Sequence, residues 1–102
     1  MTNFERPTPI EQAAYRRRAT VTGLAESVTI EPFSGVPTVE CRLADGSSSI
    51  SLVFLGRRQV PGVAEGATLL VEGMVGRHRG RLAIINPEFR VISRGSADTA
   101  AS

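Results

Sequence analysis

The sequence predicts an all-β fold: a barrel of five strands preceded by a short N-terminal helix. Five segments alternate apolar and polar residues with a period of two, and they are rich in the Val, Ile and Thr that favour strands. Segments rich in Gly and Pro separate them. A chain of 102 residues is too short to cover two full sheets, whereas closing five strands into a barrel removes their exposed edges.

Residues 1–15 are predicted to be an arm that ends in a short helix. Thr8 stands at the N-cap, Pro9 at the first helical position and Glu11 at the third, an order that favours helix initiation. We expect the helix over residues 10–15, with Tyr15 anchoring it to the rest of the molecule.

Residues 16–93 are predicted to form the barrel, and its first strand covers residues 17–30. This strand is expected to be long and bent, because Gly23 within it indicates a bulge or a tight coil. Residues 31–37 hold two Pro and one Gly, which exclude regular pairing and predict a loop.

Strands two and three, residues 38–44 and 49–55, are predicted to form a hairpin around the turn signal Asp45-Gly46. The side chains expected to point inward are Val39, Cys41, Leu43, Ile50, Leu52 and Phe54. Those expected to point outward are Glu40, Arg42, Ser49, Ser51 and Val53.

The second half of the chain is predicted to hold a connector (56–66), strand four (68–75), a hairpin loop (76–80), strand five (81–86) and a short extension (89–92). Residues 94–102 are small and polar, which predicts a disordered tail. The coiled first strand, the hairpin of strands two and three and the spacer before strand four follow the order of the OB-fold, a Greek-key barrel. This order favours the OB-fold over an SH3-like barrel, whose spacing and long first loop differ.

The composition argues against several classes of protein. No apolar run approaches the roughly 18–20 residues of a membrane span, and the N-terminus lacks the apolar region of a signal peptide, so we expect a cytoplasmic protein. One Cys and one His leave no disulfide framework and no metal site. Paired carboxylates for acid–base catalysis are absent too, so neither an enzyme nor a cofactor is expected.

The positive charge is concentrated in the middle of the chain. All 12 basic residues are Arg, and the formal net charge is +2. Residues 16–94 hold 11 Arg against seven acidic residues, a net charge of +4. Arg offers a planar fork of donors suited to phosphate, although a GC-rich genome or ordinary placement on solvated faces explains the same bias.

A set of short motifs in a fixed order carries a resemblance to known proteins. They are Val21 and Gly23, residues 41–47, residues 52–54, Pro61-Gly62, the alternation Gly66, Leu69, Val71, Gly73 and Val75, the Gly80 hairpin, and residues 86–89. Together they resemble the OB-fold wedge domain of RecG-type DNA helicases and, more closely, stand-alone actinobacterial OB-fold proteins. This resemblance implies nucleic-acid binding. The phosphate loop of a motor is absent, since it needs a Lys.

The predicted loop between strands four and five is the first candidate site. Arg77, His78, Arg79 and Arg81 lie at this loop, one of the two that flank the ligand groove of an OB-fold. Their guanidinium groups are suited to the phosphates of a nucleic acid. A solvated hairpin tip is the alternative.

Further candidates lie on the neighbouring strands and loops. Arg57 and Arg58 either extend the same basic surface or lie at the far end of the barrel. Arg42 and Ser51 are expected on the face where OB-folds bind single strands, although Glu40 on that face opposes an anion. Phe33 either stacks on a base or closes the barrel end.

The sequence therefore predicts a non-enzymatic OB-fold module that binds nucleic acid mainly through phosphate contacts. Single-stranded or branched DNA is favoured over RNA as the ligand. The scarcity of aromatic residues leaves a protein-interaction module as the alternative, and an oligosaccharide or small-ligand binder as a third possibility.

Overall fold

The computed structural model describes residues 4–95. Its strands are β1 (Arg18–Phe33), β2 (Val36–Ala44), β3 (Ser49–Leu55), β4 (Thr68–His78), β5 (Arg81–Ile85) and β6 (Glu88–Ser93). The one helical element in this part of the chain is a 3-10 turn, Ile10–Gln12. The prediction of an all-β protein is confirmed. No helix between residues 4 and 95 is both long and apolar enough to cross a membrane.

Five strands pair in a closed ring, in the order β1-β2-β3-β5-β4 and back to β1. The β3–β5 contact is parallel and the other four are antiparallel. Strand β1 closes the ring because it is long enough to serve two neighbours. Residues 18–24 of this strand pair with β4 and residues 24–33 pair with β2, with a bulge between Ala25 and Ser27 near the start of the β1–β2 ladder.

The interior of the ring is filled by the side chains that the alternation predicts. All six residues expected to point inward from strands two and three are buried, each with 4% exposure or less. Leu69, Val71 and Val75 of β4 and Ile84 of β5 join them in one core. Because every strand contributes alternate residues, the core is continuous across the ring.

Gly23 is required because the backbone of β2 approaches it closely. The bulge predicted at Gly23 lies two residues further along β1. A Cβ atom at this position would lie 2.6 Å from the carbonyl oxygen of Ala44. The backbone of β2 therefore passes directly over β1, where the long strand moves from one partner to the other.

The predicted loop over residues 31–37 is wrong: this segment is a tight hairpin. Ser34 and Gly35 form a two-residue turn with φ of 51° and 79°, the left-handed values of a type I′ turn. Pro32 pairs with Pro37 one step from the turn. That position is a non-hydrogen-bonded pair, so the missing N–H groups cost the β1–β2 ladder nothing.

Two more corrections concern β4 and its neighbours. The hairpin loop predicted over residues 76–80 is only a two-residue turn, Arg79 and Gly80, again with positive φ of 53° and 80°. Arg77 and His78 therefore belong to β4. The short extension over residues 89–92 is a full strand, β6, which pairs with the first half of β4.

The predicted helix over residues 10–15 is also wrong, and Thr8 does not cap it. The Thr8 amide instead donates a hydrogen bond to the carbonyl of Thr20 at 2.9 Å. The carboxylate of Asp45, in the β2–β3 turn, accepts one from the Ile10 amide at 2.8 Å. Hydrogen bonds to β1 and to the β2–β3 turn thus hold the arm in an extended conformation. The side chain of Ile10 is buried in the core. The predicted tail lies, from residue 96 onward, outside the described residues.

We expect Gly23→Ala to destabilise the fold by roughly 1–3 kcal/mol, the usual cost of overpacking a site that cannot relax. The clash involves backbone atoms of Ala44, which a rotamer change does not relieve. Urea denaturation measures the change. Gly76→Ala is the matched control, because its added Cβ meets only the end of Ile85 at 3.9 Å and should leave the midpoint unchanged.

Stability is expected to fall in acid through Asp45. Hydrogen bonds from the Ile10 amide, and then from Ser47, lower the pKa of Asp45 to about 2. A carboxylate with a lowered folded-state pKa stabilises the fold above its unfolded pKa of about 3.9. That contribution is lost as the pH falls through about 2.

Thermal unfolding of Asp45→Asn across this range tests the effect. The variant should have a lower midpoint than wild type at neutral pH, and the difference should shrink towards pH 2. Glu65→Gln, at an exposed position of the β3–β4 connector, is the control. A difference that stayed constant with pH would contradict this role of Asp45.

Candidate nucleic-acid interface

A polar network lies on the outer face of the ring. We define this network by Glu40 and Arg42 of β2, Ser51 of β3 and His78 of β4. The guanidinium Nη1 of Arg42 donates a hydrogen bond to the Ser51 hydroxyl at 3.0 Å. The Ser51 hydroxyl donates to Oε2 of Glu40, also at 3.0 Å. Three side chains from two strands are thereby fixed relative to one another.

Ser51 is fully buried, in contrast to the exposed position predicted for it. Val53, predicted to point to solvent from the same strand, is fully buried too. The alternation predicts the direction of these side chains correctly, but it does not predict that other side chains bury them. The hydroxyl of Ser51 is engaged by Arg42 and Glu40, so it contributes to the face by orienting them. Arg42 itself is half-buried.

His78 is buried, with 6% exposure, and belongs to β4 rather than to the predicted hairpin loop. Its Nε2 lies 3.7 Å from Oε1 of Glu40. The ring of Phe33 covers it, with centroids 4.7 Å apart. His78 thus connects the polar network to the tip of the β1–β2 hairpin.

The β1–β2 hairpin and the β4–β5 turn touch each other above His78. The guanidinium of Arg79 lies 5.4 Å from the centre of the Phe33 ring and 3.9 Å from the carboxylate of Glu31. It also donates a hydrogen bond of 3.4 Å to the carbonyl of Pro32. Phe33 nevertheless stays 38% exposed. This aromatic ring therefore covers His78 and still offers a surface to a ligand.

A second aromatic residue lies beside the same end of β4. Tyr15 is 47% exposed. It therefore does not anchor a helix, in contrast to the prediction from the sequence. The guanidinium of Arg77 lies 4.6 Å from the centre of its ring, and that of Arg16 lies 5.9 Å away. The sequence analysis missed Tyr15 as a site residue. The available signal was its position directly before the Arg run of residues 16–18.

The structure spreads the Arg residues of this region in different directions. Arg77 and His78 are neighbours in β4, so their side chains point to opposite faces. Arg81 pairs with His78 and shares its side of the sheet. Arg79 leans over Phe33 from the turn. The predicted cluster is therefore not a patch on one face. Its Arg residues lie around the end of β4, and we call Arg77, Arg79 and Arg81 the Arg belt.

Arg58 lies beside the β1–β2 hairpin. Arg58 lines a pocket of about 480 Å³ with Ile30, Pro32 and Pro37. Pro32 and Pro37 alternate with Phe33 along the hairpin, so this pocket is on the side of the hairpin opposite to the Phe33 ring. Arg58 therefore neither joins the surface around Phe33 nor lies at the far end of the ring.

The cations of the belt are only loosely engaged by acidic residues. The contact between Arg79 and Glu31 is long and exposed, and such pairs contribute about 0–1 kcal/mol. Within residues 4–95, Arg81 makes no ion pair. Both guanidinium groups are exposed, so an incoming phosphate can reach them at little energetic cost.

Other chemistry has few candidates in the described part of the chain. Residues 4–95 contain no group of three or more His, Cys, Asp and Glu side chains that could hold a metal ion. Cys41 is buried in the core, and burial raises the pKa of its thiol to about 12. The thiol is thus protonated at neutral pH and behaves as a small apolar side chain.

Comparisons with known proteins add no identification. A scan against protein-family models finds no match for this chain, and no curated protein matches it either. The ring of strands and the geometry around the end of β4 are therefore the evidence for function.

Proposed function

We propose that this protein is an OB-fold module that binds single-stranded or branched nucleic acid without catalysing a reaction. The order of the five-stranded ring supports the assignment to this Greek-key fold. So does the position of the β1–β2 hairpin and the β4–β5 turn, which correspond to the loops that border the ligand face in OB-folds.

One observation carries the proposal: two exposed aromatic rings, each contacted by a guanidinium group, flank residues 77–79. Tyr15 with Arg77 lies on one side, and Phe33 with Arg79 lies on the other. Arg77 and Arg79 are two residues apart, or roughly 7 Å along the protein backbone, so a strand that wraps around the end of β4 can meet both pairs.

Each part of this arrangement has a task in the binding of a single strand. Stacking of a base on an aromatic side chain is worth about 1–3 kcal/mol and accepts any base. The two Arg side chains supply forked donors for the phosphates between stacked bases. The exposed pair of Arg79 with Glu31 is weak enough for a phosphate to replace the carboxylate.

DNA is the favoured ligand, and RNA of the same length is the necessary comparison. The resemblance of the sequence motifs to a helicase wedge domain supports DNA. Because the contacts proposed here are to bases and phosphates, a forked duplex should bind through its single-stranded arms. A blunt duplex, whose bases are stacked internally, should bind less tightly.

The double variant Arg77→Ala with Arg79→Ala should weaken binding of a fluorescein-labelled oligothymidine about tenfold, or on the order of 1.4 kcal/mol. Fluorescence anisotropy between about 50 and 200 mM salt measures it. The salt dependence should also become shallower, by roughly 0.7 for each phosphate that the variant no longer binds.

Arg6→Ala with Arg90→Ala is the charge-matched control. Arg90 pairs with Leu70 across β6 and β4, seven residues along β4 from Arg77, or roughly 23 Å away. The control lowers the net charge equally and should retain most of the affinity. Equal losses in the two double variants would show a general charge effect and contradict the assignment of the site.

A protein-interaction module remains the second candidate, and one observation favours it. Ile30 is 60% exposed and, with Pro32 and Pro37, lines an apolar pocket beside Arg58. A partner segment that combines an apolar side chain with carboxylates would suit this pocket. Failure of wild type to bind any oligonucleotide would favour this candidate over the first.

A further inference from the structure

The carboxylate of Glu40 is an anion held in a defined orientation on the outer face of the ring, next to His78 at the end of β4. Its Oε2 accepts a hydrogen bond from Ser51, whose hydroxyl is in turn held by Arg42. Ser51, which connects the other two side chains, is fully buried. The side chain of Glu40 remains 29% exposed, so a ligand can reach it.

The second oxygen of this carboxylate has unused accepting capacity. Oε1 lies 3.7 Å from Nε2 of His78, which is longer than a hydrogen bond. No other group in residues 4–95 donates a hydrogen bond to the side chain of Glu40. A carboxylate has about four lone-pair positions, and here Ser51 occupies one of them.

An oriented carboxylate repels phosphate but attracts the N–H groups of a base. Guanine is the one common base with two adjacent donors, N1–H and the N2 amino group, on its Watson–Crick edge. Adenine and cytosine present an amino group beside an acceptor nitrogen, and the N3–H of thymine lies between two carbonyl oxygens. A carboxylate therefore pairs with guanine through two parallel hydrogen bonds and with the others through one at most.

The position of Glu40 next to an aromatic platform makes such a contact feasible. The exposed ring of Phe33 packs on His78, and His78 lies against Glu40. A base held at Phe33 is thus separated from the Glu40 carboxylate by one side chain, that of His78. We propose that Glu40 and Phe33 form a guanine-selective subsite, an inference that rests on the proposed binding of single strands.

The experiment compares oligothymidines of about 15 nucleotides, near the upper site size of one OB-fold, that differ in one central base. A central guanine should bind about tenfold more tightly than thymine, as expected for a bidentate contact. Hypoxanthine, which lacks the N2 amino group, should lose most of this gain, and adenine should show none. Anisotropy titrations at one salt concentration give the ratios.

Protein variants then assign the preference to the carboxylate. Glu40→Gln should bring guanine to the level of thymine, because the amide offers one acceptor and one donor instead of two acceptors. Ser51→Ala keeps the carboxylate but removes its orientation, and it should reduce the preference partly. Glu31→Gln is the matched control, because it removes a neighbouring carboxylate that faces Arg79, and it should retain the preference for guanine.

The outcomes separate the two levels of the proposal. Equal binding of guanine, hypoxanthine and thymine by wild type would overturn the guanine subsite while leaving single-strand binding in place. Absence of binding to every oligonucleotide would overturn the proposed function itself. If Glu40→Gln fails to fold, as judged by its urea midpoint, the comparison of guanine with hypoxanthine on wild type still decides.

Discussion

The length of β1 is the constraint on which the rest of the structure depends. This strand serves β4 with its first half and β2 with its second, and it can do so because it bends where Gly23 lets Ala44 approach. Without that bend the five strands would form an open sheet with two edges. Closure places the β1–β2 hairpin against the β4–β5 turn, and the candidate site is built at this contact.

Two kinds of electrostatic contact are combined around that point, and they differ in strength for a physical reason. In the centre of the face, Ser51 is sheltered from water and hydrogen-bonded on both sides, so the side chains that it connects are held in place. At the rim, Arg79 contacts Glu31 at a distance and exposure where water screens the charges. The centre is therefore suited to selecting a ligand and the rim to attracting one.

The sequence allowed the interior of this protein to be predicted better than its surface. Alternation along a strand is set by backbone geometry, and the inward faces of β2 and β3 follow from it directly. The burial of Ser51 and His78 depends on side chains that arrive from other strands, which no local pattern records. The loop predicted from Pro32 and Pro37 was wrong for a similar reason. A proline disrupts a ladder only at hydrogen-bonded positions. The turn at Ser34 and Gly35 sets a register in which both prolines occupy a non-hydrogen-bonded position. The Arg residues near the β4–β5 turn could be named from the sequence, but the directions of their side chains and the contact of Arg77 with Tyr15 required coordinates.

The extended N-terminal arm determines where this protein can be truncated or fused to another chain. Ile10 belongs to the hydrophobic core, and the amides of Glu5, Thr8 and Ile10 are bonded to groups on β4, β1 and the β2–β3 turn. An excised fragment that began at the first strand would leave an opening in the interior and several acceptors without their donors. Fusions and truncations should therefore keep everything from Glu5 onward, because the smallest autonomous folding unit is larger than its ring of strands.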